Sequence, residues 1–240
     1  MMGREITAIW VPLALSPLIW LVITLGMYLA ARRVQKLLGA KPYFNPVLIT
    51  IVPVAAIVVL TGTPYKRYFE GAQFINFLLG PATVALAVPL ARNIHHVMRS
   101  LHSIGLALLA GSMTSIITGV GIVWLLGGSR IVALSMAPKA VTTPIAIAVS
   151  QEIGGIPALT AALAILGGIV AAVVGQRLLW QFKIEDWRVH GLSAGVAGSG
   201  IAAAQVAPLD GMAAAFAALG IAINGVVTAI VVPLLVLVLS

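Results

Sequence analysis

"APKAVTTPIA", residues 137–146, interrupts one of the most hydrophobic stretches of the chain. It places a lysine, two threonines and two prolines where a plain membrane helix would carry leucine. Proline removes a backbone donor and clashes with the preceding turn. Backbone left unpaired at membrane depth is tolerated only inside protein or beside a water-filled cavity. The stretch therefore predicts a broken helix turned toward the interior of a bundle, where exposed amides and half-helix dipoles can form a polar site. With a span starting near Arg130, Lys139 lies about 13 Å along the axis at 1.5 Å per residue. That depth is awkward for snorkelling, so its ammonium is expected to face the interior or a cavity. It then needs a counter-charge: Glu152, Asp210 or a bound anion. Acids are few and no Arg cluster supports phosphate, which favours a small carboxylate.

Composition sets the solvent. Of 240 residues, 61% are hydrophobic and only 8% charged, whereas a soluble domain carries about 25% charged residues. The chain is read as an integral membrane protein in a lipid bilayer. There is no cysteine, which excludes disulfides, thiolate catalysis and Cys-ligated metals. The net charge of +8 reflects a shortage of acids. The basic residues sit in short inter-helix loops, as the positive-inside rule expects, so no nucleic-acid partner is indicated. The N-terminal apolar run, Ile9 to Ala31, is longer than the 7–15 residues of a typical signal-peptide core. It is read as a first, retained membrane helix.

Run length gives candidate spans at 9–31, 45–62, 74–91, 103–126, 131–150, 156–180, 190–207 and 211–239. "RRVQKLLGAK" (32–41) and the "RNIHHVMRS" loop carry Lys and Arg without an acid, which places both on the cytoplasmic side. "QFKIEDWRVH" would fall outside if all eight spans cross, and returns to the cytoplasm if 131–155 is re-entrant. Two echoes recur in order: "NPVLITIVPVA" (45–55) with "APKAVTTPIA", and "GPATVALAV" (80–88) with "IPALTAALAI" (156–165). They suggest duplicated halves, 9–126 and 127–239, within a single membrane domain spanning 1–240.

Pro53, Pro81, Pro89, Pro144 and Pro157 each threaten the helix that holds them. The segments Pro46–Pro53 and Pro138–Pro144 are expected to break and to face each other. "GLSAGVAGSGIAAAQ" (191–205) reads as close helix packing by small residues, with Gly198-Ser199-Gly200 as a possible unwound point. Asn224, alone in the last apolar span, reads as interhelical glue, and Asp210 as a turn residue. His95, His96 and His102 lie in a basic loop at spacings that make no metal site. No paired carboxylates and no GxxxxGK phosphate loop occur, so neither catalysis nor a cofactor is expected.

The blocks "NPVLITI" (45–51), "YFEGAQFINFLLGPATVALAVPLA" (68–91), "PKAVTTPIAIAVSQEIGGIPALTA" (138–161) and the small-residue stretch from Gly191 resemble the LrgB/CidB family of membrane proteins. That family also includes one half of the plastid glycolate/glycerate translocator. The resemblance covers nearly the whole chain and implies two competing roles. One is carriage of small 2-hydroxy or 2-oxo carboxylates. The other is holin-like or antiholin-like control of murein hydrolase export and autolysis, beside a small LrgA/CidA-type partner. A lysine beside broken helices suits the carrier, which is the function expected here. The chain departs from the family at Gly195–Val206, where Ser199 and Gln205 stand in place of a usual histidine and arginine. This puts the substrate or its proton coupling in question.

The expectation is thus an all-α bundle of about eight membrane segments, with internal, inverted repeats and broken helices crossing at the midplane. It sits in a bacterial inner membrane and dimerises through small-residue helices. The candidate substrate-binding residues are Lys139, Thr142 and Thr143, with Asn45, Thr50, Thr83 and Ser199.

Overall fold

The computed structural model describes residues 16–39, 44–78, 81, 84–85, 87–99 and 101–239. These form helices and short connections, with no strand among the described residues. In chain order the helices are α1 (Leu18–Leu37), α2 (Pro46–Leu60), α3 (Tyr65–Phe77), α4 (Ala87–Arg92), α5 (Ile94–Arg99) and α6 (Leu101–Leu125). Then come α7 (Arg130–Met136), α8 (Thr143–Glu152), α9 (Pro157–Gln181), α10 (Trp187–Val206) and α11 (Gly211–Leu239). Among the described residues α1, α6, α9 and α11 are long and apolar enough to cross a membrane. The protein is an all-helical membrane protein. Parts of the expected spans 9–31 and 74–91 lie outside the described residues.

Two compact units form, Met1–Ala85 and Leu86–Ser240. In the first, α2 and α3 pack on α1, and Trp20 meets Tyr68 edge-on at 5.8 Å. Asn45 caps α2 by accepting from the Val47 amide at 2.8 Å. The helix then runs unbroken to Leu60 through Pro53. The expected break at Pro46–Pro53 is therefore corrected. Pro46 opens the helix, where a missing amide is harmless, and Pro53 is absorbed inside it. Pro144 and Pro157 likewise stand in the first turns of α8 and α9 and start them. The echo between 45–55 and 137–146 is not matched by a shared local structure.

The second unit is built on α11. Every residue from Ala213 to Ile221 is buried, with α4, α6 and α10 packed round this part of the chain. α6 runs alongside in the same direction: Ile104 packs with Phe216, and Ile116 with Val232.

Between α6 and α9 the chain does not cross. Thr160 Oγ1 donates to the Ser135 carbonyl at 2.9 Å, and it bonds Ser150 Oγ at 2.7 Å. Along one straight helix Ser135 and Ser150 would be about 22 Å apart. α7 therefore enters, the chain turns over at 137–142, and α8 returns to the end from which α7 came. Ser135 Oγ also accepts the Ile156 amide at 2.8 Å. A Cβ on Gly155 would sit 2.5 Å from Ser150 Oγ, so the close seam at the mouth of this hairpin requires glycine.

α10 is a second hairpin. Ser199 has φ 50° and ψ −139° inside it, a left-handed conformation strained for any residue with a Cβ. His190 and Val206 would be about 24 Å apart on a straight helix, yet both line one cavity of about 200 Å³. The limb before Ser199 runs parallel to α11. A Cβ on Gly191 would overlap the Ala213 carbonyl oxygen, and one on Gly195 the Ala217 carbonyl oxygen. The small-residue stretch packs closely, as the sequence suggests, and also unwinds at Ser199.

Two of the expected crossings, 131–150 and 190–207, are thus re-entrant hairpins entering from opposite ends of the unit. α6 leaves one end, the first hairpin opens from the other, and α9 returns. Consequently 182–186 lies at the same end as 93–99. The bond from Asn93 Nδ2 to the Gly211 carbonyl, 3.5 Å, brings 207–211 to that end too. Arg92, Arg99, Lys183 and Arg188 gather there, against Arg130 at the opposite end. The re-entrant alternative for "QFKIEDWRVH" is the one found.

Two predictions follow from this packing. Because the chain has no cysteine, single cysteines can report its sidedness. Ser129→Cys and Glu152→Cys should react with an impermeant maleimide from one face of the membrane, and Glu185→Cys and Leu209→Cys from the other. Labelling of Ser129→Cys and Glu152→Cys from opposite faces would mean that α7 and α8 cross. Gly195→Val should lose folded protein in size-exclusion profiles, since overpacking against backbone costs roughly 1–3 kcal/mol or more. Gly200→Ala, with nothing within 4 Å of its added carbon, should not.

Candidate functional site

The hairpin tips meet at one side chain. A helix broken at depth leaves carbonyls without their usual donors, and Asn224 of α11 reaches two of them. Its Nδ2 donates to the Ala140 carbonyl at 3.0 Å and to the Val196 carbonyl at 3.1 Å. Ala140 belongs to the first tip. Val196 lies within one turn of the non-helical Ser199. The Asn224 carbonyl Oδ1 accepts from Ser112 Oγ of α6. Asn224 is 1% exposed, and both N–H groups and the oxygen of its amide are used. The reading of Asn224 as interhelical glue is found in full, with α6, both tips and α11 joined through it.

The expected site residues are placed as follows. Thr142 and Thr143 flank the start of α8, and Thr142 makes no side-chain cap bond there. Lys139 belongs to the same tip, but its ammonium turns back along α6. A Cβ on Gly119 would lie 2.9 Å from its Nζ, about 10 Å down α6 from Ser112. It does not reach the point where the tips meet. Among the described residues it has no carboxylate partner. Glu152 is exposed at the mouth of the first hairpin. Asp210 caps α11 at the other end, accepting from the Met212 and Ala213 amides at 2.7 and 3.1 Å, which suits its reading as a turn residue.

Ser199 is 7% exposed, and its hydroxyl has no hydrogen-bond partner among the described residues. Asn45 and Thr50 belong to the first unit and are engaged by their own helix: Thr50 Oγ1 donates to the Pro46 carbonyl at 2.6 Å. Thr83 lies outside the described residues. No cluster of three metal-binding side chains occurs among the described residues. His95 and His102 are exposed, as expected.

Sequence reasoning missed Ser135 and Thr160, which carry the seam of the first hairpin, Ser112, which bonds Asn224, and buried His190. His190 lies beside Trp187 at 5.1 Å and Trp180 at 5.9 Å, and its Nε2–H donates to the Ile184 carbonyl at 2.7 Å. Ser135 and Thr160 are each a lone polar group in an apolar run, which was the signal available, whereas Ser112 stands among Thr114, Ser115 and Thr118. At the foot of the second hairpin Asp186 accepts from the Arg188 amide at 2.9 Å and pairs with its guanidinium. The hydrogen bond from Arg188 holds the Asp186 carboxyl below the usual carboxylate range.

The LrgB-like family model matches residues 24–238. The chain belongs to the LrgB-like family. Relatives extend over nearly the whole length. The holin-like protein CidB of Staphylococcus epidermidis is 26% identical over 223 residues, 93% of this chain and 97% of the relative. The holin-like protein CidB of Staphylococcus aureus is 27% identical over 220 residues, 92% and 96%. The antiholin-like protein LrgB of Bacillus cereus is 30% identical over 191 residues, 80% and 83%. No solved structure matches the chain. The expectation that this LrgB-like chain carries small carboxylates is overturned by these relatives, which are named as holin-like and antiholin-like proteins. The argument had rested on Lys139 as a ligand-facing charge, and its position against Gly119 removes that argument's geometric support.

A lysine held half-buried with no acid opposite it is a burden on the fold. Lys139→Met should give normal yields of folded protein and raise its thermal midpoint by about 2–4 °C per kcal/mol recovered in a domain of this size. Glu152→Gln should leave the midpoint unchanged. Loss of folded protein in both single variants, with recovery in the double variant, would instead reveal an ion pair between them.

Proposed function

We propose that this LrgB-like protein acts in the bacterial inner membrane as a holin-like or antiholin-like regulator of murein hydrolase export and autolysis. The observation that carries this reading is end-to-end similarity to proteins named for that role. CidB of Staphylococcus epidermidis matches 93% of this chain and 97% of its own length. The role asks for a membrane body and no chemistry, and no catalytic or cofactor group is assigned to it. Charge supports an orientation with the end bearing Arg92, Arg99, Lys183 and Arg188 in the cytoplasm. A small LrgA/CidA-type membrane protein and a second copy of the chain are the partners proposed, the latter through small residues of α9 with open space beside them, such as Gly167.

The experiment is complementation. In a bacterium deleted for its own LrgB-family genes, controlled expression of this chain should change the rate of detergent-induced autolysis and the murein hydrolase activity recovered outside the cell. Faster lysis assigns the holin-like sense, and slower lysis the antiholin-like one. Identical lysis and hydrolase profiles with and without the correctly inserted protein would dispose of the proposal.

A further inference from the structure

Two cavities of the second unit lie along successive lengths of α6, one from Ser103 to Ser115 and the other from Ile116 to Trp124. At the basic end a cavity of about 750 Å³ lies between α6 and the first limb of α10. It runs from Asp186 and Arg188 at its mouth past Ser103, Ser193 and Thr114 to Val196. From the other end a cavity of about 320 Å³ runs from Arg130 between α6, α7 and α11 to Ala137 and Ile116. Val196 of the second hairpin lines the first cavity and Ala137, at the start of the first tip, lines the other; the side chain joining the tips is Asn224.

We propose that Asn224 is a latch: its two N–H groups hold the tips of opposed hairpins together as the seal between these cavities, and its release opens a passage for small ions. The inference rests on the holin-like reading and gives it a moving part. The first hairpin is tied to α9 through Ser135, Ser150 and Thr160, away from its tip, whereas the second is packed on α11 at Gly191 and up to Gly195, the residue before Val196, so the part that moves is the first tip. The tips can therefore part without unfolding either. Parting frees the carbonyls of Ala140 and Val196, beside the already unpartnered hydroxyl of Ser199, and these polar groups favour water where the seal had been. Ser199 adds a bias. Its left-handed backbone is strained, and such strain is held only while its surroundings over-determine it.

The test uses purified full-length protein in sealed vesicles, with potassium efflux as the readout and thermal unfolding as the check of fold. Asn224→Leu removes the amide. Asn224→Asp keeps its shape and its acceptor for Ser112 but leaves at most one donor, the O–H of a protonated carboxyl, so it cannot hold both carbonyls, which covers the case where the leucine variant does not fold. Either folded variant should release potassium about tenfold faster than the unaltered protein, or more, as expected for the loss of one or two buried hydrogen bonds. Because the chain has no cysteine, Ala140→Cys with Ala197→Cys can be added and bridged by a short bifunctional maleimide. Bridging should restore the seal in the Asn224→Asp background. A folded Asn224→Asp protein as tight as the unaltered one, or a leak that bridging leaves untouched, overturns the latch. Either result leaves the autolysis outcome in cells where it stood.

Discussion

Everything at the centre of the second unit depends on a shortage of hydrogen-bond donors. A hairpin that stops half-way through a membrane ends in carbonyls that water cannot serve, and each one unpaired costs free energy in hydrocarbon. Two hairpins stop at one level, from opposite ends, and Asn224 supplies one N–H to each. The remaining requirements descend from this. α11 runs past both tips, and its Ala213–Ile221 stretch is buried on every side. α10 must approach α11 within backbone contact, which fixes Gly191 and Gly195. Ser112 must face the same point from α6.

The hairpins reach their turns by different chemistry. The first stops because Pro138 and Pro144 cannot continue a ladder, and because the proline at 144 starts a new helix as readily as it ends an old one. The second contains no proline at its turn. It reverses at Gly198-Ser199-Gly200, with the strained conformation at the one residue of the three that bears a side chain. Conformational cost and polar satisfaction are thus divided. The first tip offers Asn224 a carbonyl from an ordinary turn, and the second offers one from a backbone held out of its preferred region.

This division explains what could be read beforehand. The break at 137–146 was legible because proline leaves an unambiguous mark, and the all-helical membrane body was legible from composition. The return of both hairpins was not. A run of about 20 apolar residues looks the same whether it crosses or doubles back, because the core of a bundle is as apolar as lipid. Pro53 misled for the converse reason: its mark was clear, but α2 continues through it. At the candidate site, the importance of Asn224 could be seen and its partners could not. Ser112, Ala140 and Val196 are distant in sequence, and two of the three contribute only backbone. Lys139 was legible as an anomaly, but its direction was not, since only the space left by Gly119 on a neighbouring helix shows where the stem lies.

Charge, rather than hydropathy, held the information about reversal. Lys and Arg set sidedness through their cost of translocation, and α6 and α9 each cross once. Had residues 131–155 crossed as well, Lys183 and Arg188 would lie at the opposite end from Arg92 and Arg99. That distribution would place basic loops on both faces of one small unit. A first hairpin that turns back removes the conflict and gathers four basic residues at one end. A second hairpin, opening from that end, returns 207–210 to it, so α11 can begin there and run the full depth past both tips. The loop charges and the buried amide thus impose the same topology independently. One acts at the membrane surface and the other at the middle of the bundle.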